Sequence, residues 1–374
     1  MAPGRQAWRR PNGTRYRVRA ECPLLLRVAF CYNSGMKTRM LTLAAGVFAL
    51  AAGGCGPGTG YIVKPVAVGD RLAETVIAAD PGWFVSDKIA LVDVEGVLLN
   101  QRDWSVLSAN ENPVALFVEK LDMAQADPEV RAIVLRINSP GGGVTAGDIM
   151  LRRVQDFRAA RRVPIIAIIE DVGASGAYYV ACGADTIWAH PTSVTGSIGV
   201  VVQTVSFAGT MKLLGIEAKA VTSGPLKEMG SPLKPLEEKD TAIFQGMVNE
   251  FYQRFVDVVA ESRAKGRIKL SREEVLKLAD GRVYTGEQAK ANGLVDDLGY
   301  VKDAIALAKA RSGAQRVKVV MYHRPWGYRS NFYSEAPAGP AATGTQVNLL
   351  NVNAPNFWSL LQPQFLYLWT GRMN

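Results

Sequence analysis

From Lys88 to about Arg311 the chain alternates between two patterns of apolar and polar positions. Short runs that are apolar at nearly every position predict strands over Ile89–Val94, Ala132–Ile137, Pro164–Ile169, Thr186–Ala189, Gly199–Val205 and Ile216–Val221. Unbroken runs of this kind mark parallel strands covered on both faces. Between them, Val114–Ala124, Ala146–Ala160 and Phe207–Leu214 read as helices. A long amphipathic helix is expected over Glu238–Ala264, where Phe244, Met247, Phe251, Phe255 and Val258 recur at three- and four-residue steps. That stripe is assigned to core or subunit packing and is given no chemistry. Alternation of strand and helix predicts an α/β fold. Gly56–Val85 reads as a linker, and so does Glu335–Thr345, rich in Pro, Gly, Ala and Thr. Asn356–Trp369 is apolar and aromatic, but it is too short and too broken by Pro363 to span a membrane.

Charge changes the picture only at the N-terminus. The formal net charge is +9. Residues 1–39 hold nine basic side chains against the single acid Glu21, a local +8, so the remaining chain carries only +1. A near-neutral body does not ask for nucleic acid or acidic partners. From Met36 the sequence reads as an export signal: Lys37 and Arg39 supply the charge, and Leu41–Ala52 the apolar run. The following Gly53-Gly54-Cys55 is like a bacterial lipoprotein processing box, with Ala52 where Leu is usual. Lipidation of Cys55 is the expectation, and cleavage after Ala51 the competing one. Residues 1–35 are expected either to precede the real start at Met36 or to form a disordered basic extension. With Cys55 acylated and Cys22 and Cys31 not made, Cys182 is left as a lone thiol, which forms no internal disulfide and no metal site.

Two stretches carry candidate chemistry. In Asn138-Ser139-Pro140-Gly141-Gly142-Gly143 an apolar strand runs into a triple-glycine turn before a helix. Bare backbone N–H groups there suit a phosphate cradle or an oxyanion hole. The Lys-Ser/Thr ending of a phosphate loop is absent, since Gly147 is followed by Asp148 and Ile149. In Gly173-Ala174-Ser175-Gly176-Ala177 a serine sits on a strand-to-helix turn flanked by small residues, which exposes a nucleophile and aims the Gly176 N–H at it. A serine helix cap gives the same pattern. The serine needs a base, and the only histidines, His190 and His323, lie outside any motif. A Ser–Lys dyad is therefore simpler than Ser–His–Asp. A free lysine is neutral only about once in a thousand at pH 7 to 8, so a lysine base needs apolar surroundings. Lys227, in Pro225-Leu226-Lys227-Glu228-Met229, has such neighbours apart from Glu228.

Taken together, Asn138–Gly143, Ala174–Tyr179, Thr195–Val200, Lys227–Pro232, Gly281–Gly286 and Ala289–Gly299 resemble, in the same order, the motifs of the signal peptide peptidases. The resemblance spans about residues 88–311. It implies a Clp protease/crotonase-like superhelix of parallel strands and helices, in a single catalytic domain. It places the nucleophile on Ser175, the general base on Lys227, and a lysine-orienting role on Ser197. The oxyanion donors fall on Gly176 and one of Gly142 or Gly143. Lys234 departs from the family, where Arg is expected. The implied division is 1–35 as above, 36–55 signal, 56–87 linker, 88–313 peptidase domain and 314–374 C-terminal extension. The implied function is hydrolysis of remnant signal peptides and other hydrophobic peptides at the cell envelope, facing the periplasm or exterior, with membrane attachment through the N-terminal signal or lipid. No metal or other cofactor and no nucleic acid is implied. A chain with one copy of each motif is expected to assemble as a homo-oligomeric ring. A crotonase-like acyl-CoA enzyme and a non-catalytic envelope scaffold are the alternatives; the export signal argues against the first, and the paired Ser175 and Lys227 against the second. For the apolar tail three places are open: the membrane interface, a neighbouring subunit, or the substrate groove.

Overall fold

The computed structural model describes residues 71–101, 104–105, 108–109, 111–324 and 364–370. The signal, Cys55, the basic N-terminal stretch and the Glu335–Thr345 linker lie outside the described residues. The described ones belong to one compact unit, Val66–Asn374.

The long apolar runs become a central parallel sheet. Strands β1 (Ala73–Ala79) and β2 (Lys88–Leu98) are followed by α1 (Pro113–Ala126), β3 (Val130–Gly143), α2 (Val144–Arg161), β4 (Ile165–Ala174), the short α3 (Gly176–Ala181) and β5 (Thr186–Ala189). β2, β3, β4 and β5 lie side by side and parallel. Because successive side chains point to opposite faces, one strand feeds two cores. Ala90, Val92 and Val94 of β2 face the core shared with α1, α2 and α3, whereas Ile89 and Leu91 face Val301, Ala304 and Ala308. This double burial is why the runs are apolar at nearly every position; the exceptions, Asp93 and Arg136, are buried as an ion pair.

Smaller elements complete the molecule: β6 (Val194–Gly196), β7 (Val201–Gln203), α4 (Ala208–Leu213), α5 (Glu238–Arg263), α6 (Arg272–Leu278), β8 (Val283–Thr285), α7 (Gly286–Ala291), β9 (Asp297–Leu298), α8 (Val301–Ser312), β10 (Lys318–His323) and β11 (Gln364–Leu368). The sheet continues past both ends of the expected 88–313 span, since β10 pairs parallel with β2 and β1 pairs antiparallel with β10. β1 thus occupies part of the stretch read as linker.

One expected strand does not form. Ile216–Val221 is irregular and exposed, with Val221 99% accessible. The run carries Glu217 and Lys219 and finds no partner strand among the described residues to reward its extended pairing. It belongs to an arm between β7 and α5 that leaves Leu213, Leu214, Ile216, Val221 and Leu226 exposed.

A buried charge cluster sits where β2, β3 and β4 approach the glycine-rich segment. Arg136, 2% exposed, pairs with Asp93 at 2.8 Å, Glu95 at 3.2 Å and Glu170 at 3.7 Å, and Lys120 reaches Asp93 at 3.3 Å. Burial lifts the Glu170 carboxyl from its ordinary value of 4.5 to about 7; Arg136 opposes this, while Asp93 and Glu95 reinforce it. The folded protein then holds a proton that the unfolded chain has released, so Glu170 makes stability fall as pH rises from about 4.5 through about 7. Glu170→Gln is expected to flatten that part of the stability profile, which thermal unfolding at pH 5, 6, 7 and 8 measures. An unchanged slope would show that Glu170 does not titrate in that range.

Candidate active site

β4 ends at Ser175, whose φ of 54° and ψ of −118° depart from both strand and helix, and α3 starts at the next residue. The sharp turn lifts the serine out of the sheet, a conformation that surrounding bonds must hold. Ser175 N–H donates to the Gly196 carbonyl at 2.8 Å, and the Ser175 carbonyl accepts from Tyr179 N–H at 2.9 Å. The Thr195 hydroxyl clamps the Gly173 carbonyl at 2.7 Å. The Ser175 hydroxyl forms no hydrogen bond with any described side chain, so its polar capacity is not spent on structure as a helix cap would spend it.

The glycine segment differs from expectation. It is not a free turn: β3 stays paired in the sheet through Gly143, with a register shift before Gly141, and α2 begins at Val144. Gly142 is opposite Leu98 of β2 in the ladder, and a Cβ on Gly142 would overlap the Leu98 backbone. Gly141 has φ 100°, and the place where its Cβ would stand is 2.7 Å from the Gly176 nitrogen. The Gly142 nitrogen is 3.2 Å from the corresponding point on Gly176. The absent side chains therefore let the N–H groups of Gly142 and Gly176 face one small space beside Ser175. Gly143 stands apart as the residue before α2, with no backbone closer than 3.8 Å to its would-be Cβ.

Ser197 follows Gly196, the acceptor of the Ser175 N–H. It has φ 50° and is fixed by its own N–H to the Arg282 carbonyl at 2.8 Å. It lines a cleft of about 420 Å³ together with Val200, Tyr252, Gly281 and Leu368. Lys227 is not brought to Ser175 by this chain. It is exposed on the arm, held only by its backbone N–H to the Gly224 carbonyl at 3.2 Å, and its side chain has no partner among the described residues.

The other candidate groups have surroundings of their own, and His190 Nε2 is buried with no hydrogen-bond partner among the described residues. His323 Nε2 shares a hydrogen bond with the Thr75 hydroxyl at 2.7 Å. His190 packs its ring on Tyr300 at 4.9 Å, and burial lowers its pKa. Lys234 pairs with Glu237 and Asp240, both at 3.2 Å; desolvation opposes its charge, but these carboxylates outweigh it and keep the ammonium above its ordinary pKa. Cys182 is buried and its thiol is pushed up to about 12, which leaves it unreactive.

Sequence reasoning gave the α5 stripe to packing alone and left the apolar tail open between the membrane interface, a neighbouring subunit and the substrate groove. The stripe on α5 does not only pack the core: Phe244, Phe251 and Phe255 meet Phe365 and Tyr367 of β11. β11 itself lies antiparallel against Gly141–Gly143 on one side and β7 on the other. The aromatic alternation at 365 and 367, matched to aromatic steps on α5, was the available signal.

Comparison with known proteins agrees with this architecture. Residues 158–315 match the sequence profile of peptidase family S49. The chain is 36% identical over 223 residues to a protein of Methanocaldococcus jannaschii described as a protease, covering 60% of this chain and 69% of the other. It is 33% identical over 235 residues to one of Enterococcus faecium described as a signal peptide peptidase, covering 63% and 67%. Protease 4 of Salmonella typhi is 38% identical over 202 residues, covering 54% of this chain and 30% of its own length.

Proposed function

The chain belongs to peptidase family S49, the signal peptide peptidases, serine proteases of the Clp protease/crotonase-like fold, and on that premise we propose that Ser175 and Lys227 form the dyad of an endopeptidase for hydrophobic peptides. The observation that carries this reading is the meeting of Ser175, on its strained elbow, with the two N–H groups of Gly142 and Gly176. A carbonyl oxygen placed between those donors gains negative charge as Ser175 Oγ attacks its carbon, and fixed dipoles there lower the barrier without reorganising. The neutral lysine amine takes the hydroxyl proton during attack and returns it to the departing amine. It then activates the water that releases the acyl group. Ser197, on its rigid turn, orients the lysine.

No described side chain stands beside Ser175 as a base, and Lys227 is exposed on an apolar arm, which supports the reading that the lysine is supplied by a neighbouring copy. The exposed leucines and valines of the arm are the surface such a copy covers. A ring built this way repeats one heterologous contact until it closes. Lys234, paired with Glu237 and Asp240, is the less suited of the two lysines to act as a neutral base. The substrates are remnant signal peptides and similar apolar segments, bound extended along the groove beside the glycine segment. The site faces the periplasm or exterior, with the enzyme attached to the membrane through its N-terminal signal or lipidated Cys55.

A fluorophosphonate probe tests the nucleophile. Stoichiometric labelling that maps to Ser175, and disappears in Ser175→Ala, is expected. Labelling at another serine would remove the assignment.

A further inference from the structure

The arm that carries Lys227 is tied shut at its root. Phe207 N–H donates to the Pro232 carbonyl at 2.7 Å, and the Ser206 hydroxyl donates to the Lys234 carbonyl at 2.8 Å. The returning limb of the arm is a run of tight turns. Lys227 N–H donates to the Gly224 carbonyl at 3.2 Å, Met229 N–H to that of Leu226 at 3.1 Å, and Ser231 N–H to that of Glu228 at 3.0 Å. Leu233 N–H then donates to the Ser231 hydroxyl at 3.3 Å. Successive turns leave few free backbone dihedrals between Lys227 and Lys234, so the position of the first follows that of the second. Little else holds the arm: α4 buries none of its residues, and Ile216–Val221 pairs with no strand among the described residues.

Lys234 is in turn fastened to α5. Its ammonium lies 3.2 Å from both Glu237 and Asp240, but the two carboxylates differ in weight. Glu237 is half exposed and is shared with Lys239 at 2.7 Å, and a solvated pair of this kind contributes little. Asp240, in the first turn of α5, is fully buried, and neither of its oxygens accepts a well-directed hydrogen bond among the described residues. A buried carboxylate needs a compensating charge, and the Lys234 ammonium supplies it. The root of the arm cannot leave α5 without stranding that charge.

We propose that the Lys234–Asp240 ion pair is a positioning device, which pins the root of the arm to α5 and so sets where Lys227 meets the serine of a neighbouring copy. This rests on Lys227 being the base that Ser175 uses. Lys234 and Asp240 act through the arm and touch no reacting atom. A misplacement of about 1 Å costs on the order of 10²-fold in rate, so a small slip at the root is enough.

The test uses full-length Asp240→Asn, Lys234→Gln and the double variant Lys234→Gln/Asp240→Asn. The double variant removes both charges of the pair, so it keeps the measurement open where a single variant does not fold. Cooperative thermal unfolding and native mass spectrometry check fold and assembly. Each folded variant is expected to lose about 30-fold in kcat with KM within about twofold, and the double no more than either single, because each removes the same pair. The ionisation that governs kcat is expected to rise by about one pH unit, toward the free-lysine value, as Lys227 loses its seat. Lys234→Arg, which keeps the charge, is expected to retain most of what Lys234→Gln loses. Unchanged kcat in folded variants, or additive losses in the double, would overturn the proposal.

Subunit exchange locates the defect. With Ser175→Ala as lysine donor and Lys227→Ala as serine donor, Asp240→Asn in the lysine donor should cut the recovered activity about 30-fold; in the serine donor it should change it by less than about twofold. An equal loss from either chain would reveal a general structural role and overturn the proposal. No recovery even without Asp240→Asn would refute only the supply of lysine by a neighbour. The pH profile of Asp240→Asn then decides, a raised ionisation supporting the pair and an unmoved one overturning it. Activity in Lys227→Ala alone would remove the base itself, and the proposal with it.

Discussion

Ser175→Ala and Lys227→Ala are each expected to lose peptide hydrolysis by on the order of 10⁴-fold or more, because removing one member of a nucleophile–base pair costs about as much as removing both. Mixed in equal amounts and allowed to exchange subunits, the two inactive proteins should recover about one quarter of wild-type activity. The fraction follows from chance: a site works only when its serine comes from the Lys227→Ala chain, at even odds, and its lysine from a Ser175→Ala neighbour, again at even odds. The basis is the placement of the two residues, with Ser175 buried at the end of β4 and Lys227 exposed on the arm without a partner. Mixed oligomers, verified by native mass spectrometry, that stay inactive would place both residues in one chain and require the arm to fold back. Substantial activity in Lys227→Ala alone would assign the base to another group.

Gly142→Ala is expected to remove about 10²- to 10³-fold in kcat, the usual cost of one oxyanion donor, while Gly143→Ala stays within a few-fold of wild type. The contrast comes from what each methyl group meets. On Gly142 it would overlap the backbone of Leu98, which is locked in the β2–β3 ladder and cannot yield as a side chain would, so β3 must shift and carry its N–H away from Gly176. On Gly143 it meets ordinary contacts at 3.8 Å. Thermal unfolding separates loss of the donor from loss of the fold, since a shifted segment in a folded protein retains a cooperative transition. Equal loss in the two variants, both folded, would mean that the donor is not Gly142.

Much of this protein was legible in order along the chain. The nearly continuous apolar runs at Ile89–Val94, Ala132–Ile137 and Pro164–Ile169 announce strands buried on both faces, because such strands have no polar side. The small residues around Ser175 and in Gly141–Gly143 announce backbone that must come close to something, and the scarcity of histidine makes lysine the simpler expectation for a base. These readings depend on neighbours within a few residues, where local sterics and periodicity act. Tertiary structure decided the rest. Ile216–Val221 was given the same strand reading, but it alternates with Glu217 and Lys219, pairs with no strand among the described residues and stays exposed. The three glycines read as a turn, but β2 on one side and β11 on the other hold them in the sheet ladder. The α5 stripe was legible as apolar but not as the surface that β11 covers, because its partner Tyr367 lies 116 residues further along from Phe251. A pattern of apolar positions states that a face must be covered; which distant segment covers it depends on shape and register, and those exist only once the chain has folded.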